Sequence, residues 1–175
     1  MDWEGIIREE LKKISNGKVV VDLGGYDGKQ AKVALDAGAT KAICIDDGSW
    51  RTYGWGEPKQ QKDVEYIDMN FGDYHTPADI VIFQNVIYHQ RNPWAVMEHV
   101  RKLTKEVLLL CTSYIEGENP VWMVYKPREG HSISWTVAWR PTELGLIKLL
   151  EATGFKDVEV LKKDEGHIVV KATPA

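Results

Sequence analysis

Apolar residues recur along the chain at two spacings, and the spacing changes from one segment to the next. Residues 3–14 carry apolar side chains at helical spacing with charged residues opposite, which predicts an amphipathic helix. Asn92 and Pro93 mark another helix start, because Asn accepts hydrogen bonds from free N–H groups and Pro loses nothing at the first helical position. The predicted helices cover residues 3–14, 29 to the glycine at 38, 92 to about 103, and 141 to the glycine at 154.

Short apolar runs of strand length lie between these helices. Val107–Leu110 is the clearest of them, a continuous run typical of a strand that is covered on both faces of a sheet. Two further runs follow each other directly at the C-terminus, with Glu165 and Gly166 as the turn between them. The predicted strands cover residues 19–23, 42–46, 64–67, 79–83, 107–110, 157–162 and 167–172.

Helices alternate with strands until the end of the chain, where two strands stand together. This order predicts an α/β fold with a Rossmann-like, doubly wound, mostly parallel seven-stranded sheet and an antiparallel C-terminal edge hairpin. In such a sheet a ligand binds at the carboxyl ends of the central strands. Residues 113–140 interrupt the alternation with three tryptophans, two tyrosines and several basic groups. We expect this segment to form either a cover over the site or an extra hairpin.

Length and composition narrow the picture further. With 175 residues, of which 43% are hydrophobic, the chain is expected to form one domain over residues 1–175. It has no apolar run long enough to cross a membrane and no signal peptide, so we expect a cytoplasmic protein. The net charge of −4 argues against a protein-wide basic surface but leaves room for a local patch. Cys44 and Cys111 lie inside predicted strands and the histidines show no paired metal spacing, so neither a disulfide nor a metal site is expected.

The first strand runs into a turn that contains glycines. Its pattern is Asp22-x-Gly24-x-x-x-Gly28, and Asp46 stands at the end of the next strand. Glycine lets the chain turn sharply and lets a ligand touch the backbone, and an acid at the end of the second strand is typical of ribose binding. Dinucleotide-binding turns carry a further glycine in the middle, where this chain has Tyr26. The pattern therefore favours a sulfonium nucleoside without phosphates over NAD.

This segment resembles the first motif of class I S-adenosylmethionine (SAM)-dependent methyltransferases, and Asp46 matches their ribose-binding acid. The resemblance implies SAM as the cofactor. It also implies that Asp22 either contacts the amino group of the methionine part or braces the turn, and that Asp68 and Met69 flank the adenine. Asn85 follows the fourth strand at the same edge of the sheet. The expected cofactor-binding residues are Asp22, Gly24, Gly25, Gly28, Asp46, Asp68, Met69 and Asn85.

A second segment, Phe83–Pro93, is similar to the V-L-Y-H-x-R-x-P stretch of the tRNA wobble-uridine branch, the methyl and carboxymethyl transferases that form 5-carboxymethoxyuridine. The resemblance implies that Tyr88 and His89 are catalytic. Tyr88 is placed to orient the transferred group or the acceptor, and His89 is either a base or a histidine bonded to the backbone at a helix start. Carboxymethyl transfer needs a cationic pocket whose members the sequence does not identify, although Arg91 and Arg140 are candidate anion partners. Plain methyl transfer is therefore expected.

Three interpretations of the acceptor side stay open. The first is an RNA nucleoside, because aromatic side chains stack on bases and basic side chains pair with phosphates. The second is a small molecule enclosed by the same aromatic residues, and the third is a non-catalytic SAM-binding partner subunit. The sequence does not indicate an oligomeric state. The candidate RNA-binding rim consists of Trp50, Arg51, Tyr53, Trp55, Lys59, Trp122, Tyr125, Lys126, Arg128 and Trp135.

Overall fold

Helices and strands follow the predicted order in the computed structural model, and short strands are added within residues 113–140. The structure describes residues 3–51, 56–124, 139–164 and 166–175. The helices are α1 (Trp3–Ile14), α2 (Lys29–Asp36), α3 (Pro93–Leu103) and α4 (Glu143–Ala152). The strands are β1 (Val19–Leu23), β2 (Lys41–Asp46), β3 (Glu65–Asp68), β4 (Ala78–Gln84), β5 (Thr104–Ser113), β6 (Trp122–Val124), β7 (Trp139–Pro141), β8 (Phe155–Asp164) and β9 (His167–Pro174).

The main sheet has the strand order β3-β2-β1-β4-β5-β9-β8 over the described residues. The first five strands of this order, β3-β2-β1-β4-β5, pair in parallel with their neighbours, whereas β9 pairs antiparallel with both β5 and β8. The chain moves outward from β1 to β3 and then returns to β4, so the order reverses between β1 and β4. A crevice for a ligand opens at the carboxyl edge of the sheet at such a point. The predicted fold class is confirmed.

Helices cover both faces of the sheet, because each presents an apolar stripe to it. On one face, α1 and α2 contribute Ile7 and Ala31 to a buried cluster. On the other face, α3 and α4 contribute Met97 and Leu146 to a second cluster. The strands between these layers are covered on both sides, which explains their continuous apolar runs. No helix in the described ranges is both long and apolar enough to cross a membrane.

Some predicted boundaries were wrong for identifiable reasons. Pro141 ends β7 instead of beginning α4, because Thr142 is the N-cap of that helix and its hydroxyl oxygen accepts a hydrogen bond from the N–H of Gly145. β5 begins at Thr104, where the pairing with Ala78 of β4 extends the strand through polar residues. In the segment 113–140, β6 and β7 pair antiparallel, which favours the extra-hairpin alternative. Residues 125–138 lie outside the described ranges.

Candidate functional site

The glycine turn after β1 is packed so closely that side chains at its first two glycines would collide with their surroundings. A Cβ at Gly24, whose φ is +72°, would lie 2.5 Å from Cγ2 of Val86. A Cβ at Gly25 would lie 2.7 Å from the carboxyl carbon of Asp22. The N–H groups of Gly24 and Gly25 both donate to the carbonyl oxygen of Ile45, at 2.7 and 3.2 Å. The turn therefore requires glycine and presents its backbone at the carboxyl edge of the sheet.

The last glycine of the motif packs against a tyrosine that the sequence pattern did not identify. Gly28 has a φ of +69°, and a Cβ there would lie 2.3 Å from the hydroxyl oxygen of Tyr66. This hydroxyl donates to the carbonyl oxygen of Asp27 at 2.7 Å and accepts from the N–H of Gln61 at 2.6 Å. Tyr66 thus joins the glycine turn to the segment 56–61. The available signal was its position two residues before Asp68, which places both side chains on one face of β3.

Tyr26 occupies the middle position of the turn in the left-handed conformation that glycine favours. Its φ is +49°, and this conformation costs an L-residue roughly 1–2 kcal/mol. Two hydrogen bonds offset the cost. The N–H of Tyr26 donates to Oδ2 of Asp46 at 3.0 Å, and its hydroxyl donates to the carbonyl oxygen of Gly56 at 2.7 Å. The turn keeps its geometry without the middle glycine.

One cavity, of about 550 Å³, lies beyond the ends of β2 and β3. Asp46 and Asp68 end these strands as register partners, and both line this β2–β3 cavity. Oδ1 of Asp46 accepts from the N–H of Gly48 at 2.8 Å, and burial raises the pKa of Asp46. Each of its carboxylate oxygens keeps a lone pair for a ligand hydroxyl. Asp68 is exposed, whereas Met69 packs against the core and its N–H donates to the carbonyl oxygen of Asp46 at 3.1 Å.

A second cavity, of about 430 Å³, lies at the ends of β1 and β4. Asp22 lines this β1–β4 cavity and is only 2% exposed. Burial, with the carboxylates of Asp27 and Asp46 nearby, raises the pKa of Asp22 to about 7. A cation beside Asp22 would favour its ionised form. The predicted site residues in this wall are Asp22, Gly24, Gly25, Asn85, Tyr88 and His89.

Asn85 lines the β1–β4 cavity, and it adopts the left-handed conformation directly after the end of β4. Its φ is +58°, a conformation that Asn adopts more readily than most residues. The N–H of Asn85 donates to the carbonyl oxygen of Cys111 on β5 at 2.9 Å. The side-chain amide of Gln30 on α2 donates to that of Gln84 at 3.1 Å. Hydrogen bonds to β5 and to α2 thus fix the turn after β4.

Tyr88 and His89 follow on a short 3-10 turn, Ile87–His89. Ile87 is fully buried and anchors the turn, and the ring centroids of Tyr88 and His89 lie 4.1 Å apart. Burial raises the pKa of Tyr88 to about 12 and lowers the pKa of His89 to about 4. Both side chains are therefore uncharged near neutral pH. Tyr88 can donate a hydrogen bond, and His89 is a weaker base than an ordinary histidine.

The structure brings most of the predicted residues to one edge of the sheet but divides them between two cavities. Tyr26 lines both cavities, so the two cavities adjoin at this residue. Two predicted residues, Gly28 and Met69, line neither of these cavities. Gly28 packs against Tyr66 in the turn, and Met69 packs against the core.

The rim expected for RNA is described only in part. Arg51 lines the β2–β3 cavity, Trp122 lines a third cavity, and Lys59 is exposed. The side chain of Trp50 and the residues Tyr53, Trp55, Tyr125, Lys126, Arg128 and Trp135 lie outside the described part of the chain.

Replacing Tyr66 by Phe is expected to remove two hydrogen bonds while keeping the ring against Gly28. The free energy of unfolding should fall by roughly 1–2 kcal/mol, and the affinity for S-adenosylhomocysteine should fall about 3- to 10-fold, because the segment at Gln61 is no longer tied to the turn. Chemical denaturation measures the first change and calorimetry the second. Tyr74→Phe is the control, since Tyr74 is a buried tyrosine outside both cavities. An affinity equal to that of the control would contradict a positioning role for Tyr66.

Comparisons with known proteins bear on this site. A family profile described as a methyltransferase domain matches residues 2–160, whereas no curated protein matches the sequence. The 1,6-didemethyltoxoflavin-N1-methyltransferase of Burkholderia thailandensis, solved with 1,6-didemethyltoxoflavin and S-adenosylhomocysteine bound, is similar at a TM-score of 0.67 and 17% identity, over 97% of this chain and 78% of that chain. The magnesium protoporphyrin IX methyltransferase of Synechocystis PCC 6803, solved with SAM bound, is similar at a TM-score of 0.65 and 15% identity, over 98% of this chain and 79% of that chain.

A SAM-dependent methyltransferase of Mesorhizobium loti is also similar, at a TM-score of 0.65 and 16% identity, over 94% of this chain and 96% of that chain. At such identities the solved structures establish a shared fold, while the profile covers most of the chain and establishes the family. The glycine turn, the strand order and the profile agree, and the chain belongs to the class I SAM-dependent methyltransferases.

Proposed function

We propose that the two adjoining cavities hold one SAM molecule and that its methyl group is transferred to an RNA nucleoside presented beside Tyr88. The observation that carries the cofactor assignment is the placement of two carboxylates on either side of Tyr26, with buried Asp22 in one cavity and half-buried Asp46 in the other. Asp22 would pair with the ammonium group, and Asp46 would accept from the ribose hydroxyls. Asp68 and Met69 would flank the adenine.

The residues present fit this cofactor. Gly24 and Gly25 line the β1–β4 cavity and neither position has room for a Cβ, so a ligand there would meet the backbone of the turn. Asp22 is a buried carboxyl group with a pKa of about 7, and such a group gains a partner when a cation binds. No phosphate-binding glycine stands at the middle of the turn, where Tyr26 fills the space.

When bound, SAM supplies a methyl group that its sulfonium already activates, so the protein mainly has to align the acceptor. Tyr88 offers a neutral hydroxyl for this purpose, because its pKa of about 12 keeps it protonated. His89 stays neutral near pH 7, since burial lowers its pKa to about 4. We infer that the two rings orient the acceptor and exclude water, and that neither carries a charge while doing so.

The affinity for S-adenosylhomocysteine is expected to rise as the pH increases from about 5.5 to about 7.5. In the ligand-free protein Asp22 has a pKa of about 7, so below that pH the ammonium group can bind only after Asp22 releases a proton. The affinity should change by up to about tenfold for each pH unit. Calorimetry across this range measures the change.

Two variants separate Asp22 from other titrating groups. Asp22→Asn should bind more weakly and lose the pH dependence. His89→Gln should keep the dependence, because the pKa of His89, at about 4, lies below the range. A pH dependence that survives in Asp22→Asn would leave Asp22 with the alternative role of bracing the turn.

The RNA acceptor is supported by the similarity of Phe83–Pro93 to the wobble-uridine branch and by exposed cations near the site. Lys59 lies between Pro58 and Gln60, which line the β2–β3 cavity, and Arg91 lies two residues after His89; both cations are exposed. A small-molecule acceptor is the second candidate. It is favoured by the Burkholderia thailandensis methyltransferase, which was solved with the small molecule 1,6-didemethyltoxoflavin bound.

Binding of total tRNA at several salt concentrations distinguishes the two acceptors. For RNA, the logarithm of the affinity should fall with that of salt concentration, with a slope of about 0.7 for each contacted phosphate of a single strand. Lys59→Ala should reduce this slope. Lys12→Ala should not, since Lys12 is exposed near the end of α1, at the opposite edge of the sheet. No tRNA binding, or a flat salt response, would replace the RNA acceptor by a small molecule.

A further inference from the structure

A third cavity, of about 350 Å³, lies beside the proposed cofactor site, between the start of α3, the β6–β7 ladder and α4. Three tryptophans line it: Trp94, Trp122 and Trp139. Trp94 is 48% exposed, whereas tryptophan is highly buried on average. We name this space the tryptophan cavity.

Two of the three rings of the tryptophan cavity are held in place by hydrogen bonds to the protein. The indole N–H of Trp122 donates to the carbonyl oxygen of Gly145 at 3.0 Å, and that of Trp94 donates to the carboxylate of Glu98 at 3.1 Å. The wall behind Trp122 is tight, because a Cβ at Gly145 would lie 2.6 Å from the carbonyl oxygen of Val121. With their N–H groups already bonded, Trp94 and Trp122 offer a ligand mainly their flat apolar surfaces. Such surfaces favour a planar ring.

A cation stands at the mouth of the tryptophan cavity. Arg91 lines it and is exposed, and within the described ranges no hydrogen bond or ion pair engages its guanidinium group. Lys148 also lines the cavity but pairs with Glu151 at 2.7 Å. Arg91 is therefore the group suited to an anion on the ligand, and a guanidinium binds phosphate or carboxylate through two parallel bonds.

The tryptophan cavity is linked to the proposed cofactor site by residues that line neighbouring cavities. Arg91 and Asn92 line both the tryptophan cavity and a neighbouring cavity that contains His89. His89 in turn lines the β1–β4 cavity with Asp22 and Tyr88. A ligand seated between the tryptophans can thus extend along Arg91 toward Tyr88.

We propose that the tryptophan cavity binds an aromatic ring of the methyl acceptor and that Arg91 pairs with a phosphate or carboxylate group of the same molecule. This inference rests on the proposed methyl transfer beside Tyr88. A planar ring with an anionic group occurs in a nucleotide of RNA and in a free aromatic acid, and the two sources are separated by the choice of probe.

The test uses the full chain saturated with S-adenosylhomocysteine and two probes, uridine 5′-monophosphate and 1-hydroxy-2-naphthoate. Calorimetry gives the affinity of each probe, and proton–nitrogen NMR of the indole N–H groups reports which tryptophans respond. Binding of at least one probe is expected, with the indole signals of Trp94 and Trp122 shifting. Binding of the nucleotide alone indicates RNA as the source of the acceptor, and binding of the naphthoate alone indicates a free small molecule.

Substitutions test separately the contact with the aromatic ring and the contact with the anionic group of the ligand. Trp94→Ala should weaken probe binding about 5- to 100-fold, the range for loss of one stacking surface, and Trp94→Phe should recover most of it. Arg91→Ala should weaken binding about 5- to 50-fold and remove its salt dependence. Lys102→Ala is the control, since Lys102 is an exposed cation in the last turn of α3, at the other end of that helix from Arg91.

Failure of this inference differs from failure of the proposed function. If S-adenosylhomocysteine binds and neither probe does, or if Trp94→Ala and Arg91→Ala bind a probe as well as the unmodified chain, the tryptophan cavity is not an acceptor site and the cofactor assignment stands. If S-adenosylhomocysteine itself does not bind, the proposed function fails. Probe binding in that case, abolished by Trp94→Ala, would still assign a ligand site to the tryptophan cavity.

Discussion

Gly24→Ala is expected to abolish measurable binding of S-adenosylhomocysteine, a loss of more than about 100-fold. The new Cβ would lie 2.5 Å from Cγ2 of Val86, and the φ of +72° is unfavourable for alanine. Val86 packs against the core and is β-branched, so its methyl group cannot move aside easily. The turn itself must shift, and the backbone that lines the β1–β4 cavity shifts with it. Calorimetry measures binding, and circular dichroism confirms that the variant is folded.

Gly17→Ala is the matched control for this substitution. Gly17 has nearly the same backbone conformation, with a φ of +74°, but a Cβ there meets no atom within 4 Å. It should lose stability by roughly 1 kcal/mol and bind normally. The double variant Gly24→Ala/Val86→Ala should recover part of the binding, because it removes the colliding methyl group. Equal binding by Gly24→Ala and Gly17→Ala would contradict the assignment of the turn to the cofactor.

Asp46→Ala is expected to weaken binding of S-adenosylhomocysteine roughly 10- to 150-fold, which corresponds to about 1.5–3 kcal/mol for lost charge-assisted bonds to the ribose hydroxyls. The substitution also removes the acceptors for the N–H groups of Tyr26 and Gly48. Asp46→Asn separates these effects, since the amide oxygen can still accept one hydrogen bond but carries no charge. We expect its affinity to lie between those of Asp46→Ala and the unmodified chain.

Asp47→Ala is the control for Asp46. Asp47 is an exposed acid at the next position and accepts a hydrogen bond from the N–H of Ser49 at 2.9 Å. Calorimetry should find its affinity nearly unchanged. If Asp46→Ala and Asp47→Ala lose affinity equally, the loss reflects the general negative charge near the site, and the prediction that Asp46 contacts the ribose is wrong.

The fold class was predictable because the patterns that indicate it involve residues close together in the sequence. The apolar runs of β1, β2 and β4, the Asn92–Pro93 helix start and the two consecutive strands at the C-terminus each depend on a few adjacent residues. Where sequence-based boundaries were wrong, pairing with a distant strand decided the outcome. Thr104 is in β5 because it pairs with Ala78, although nothing in its own surroundings predicts a strand.

The candidate site was predictable to the level of which edge of the sheet it occupies. Parallel strands carry their carboxyl ends to one edge, so Asp22, Asp46, Asp68 and Asn85 are brought there by topology. The presence of two adjoining cavities was not predictable, because Tyr26, which lines both, is held by a hydrogen bond to Gly56, 30 residues away in the sequence. Tyr66 was not predicted because its hydroxyl donates to the carbonyl oxygen of Asp27, 39 residues earlier in the sequence.

Patterns along the chain were sufficient for the order of helices and strands, the glycine turn with its acids, and the resemblance to the methyltransferases. Tertiary structure alone decided the pKa of Asp22, the neutral state of His89 and the meeting of three tryptophans beside α3. The physical reason is the range of the interactions. Periodicity and capping act between residues a few positions apart, whereas burial and collision join residues such as Gly24 and Val86 that only folding brings together.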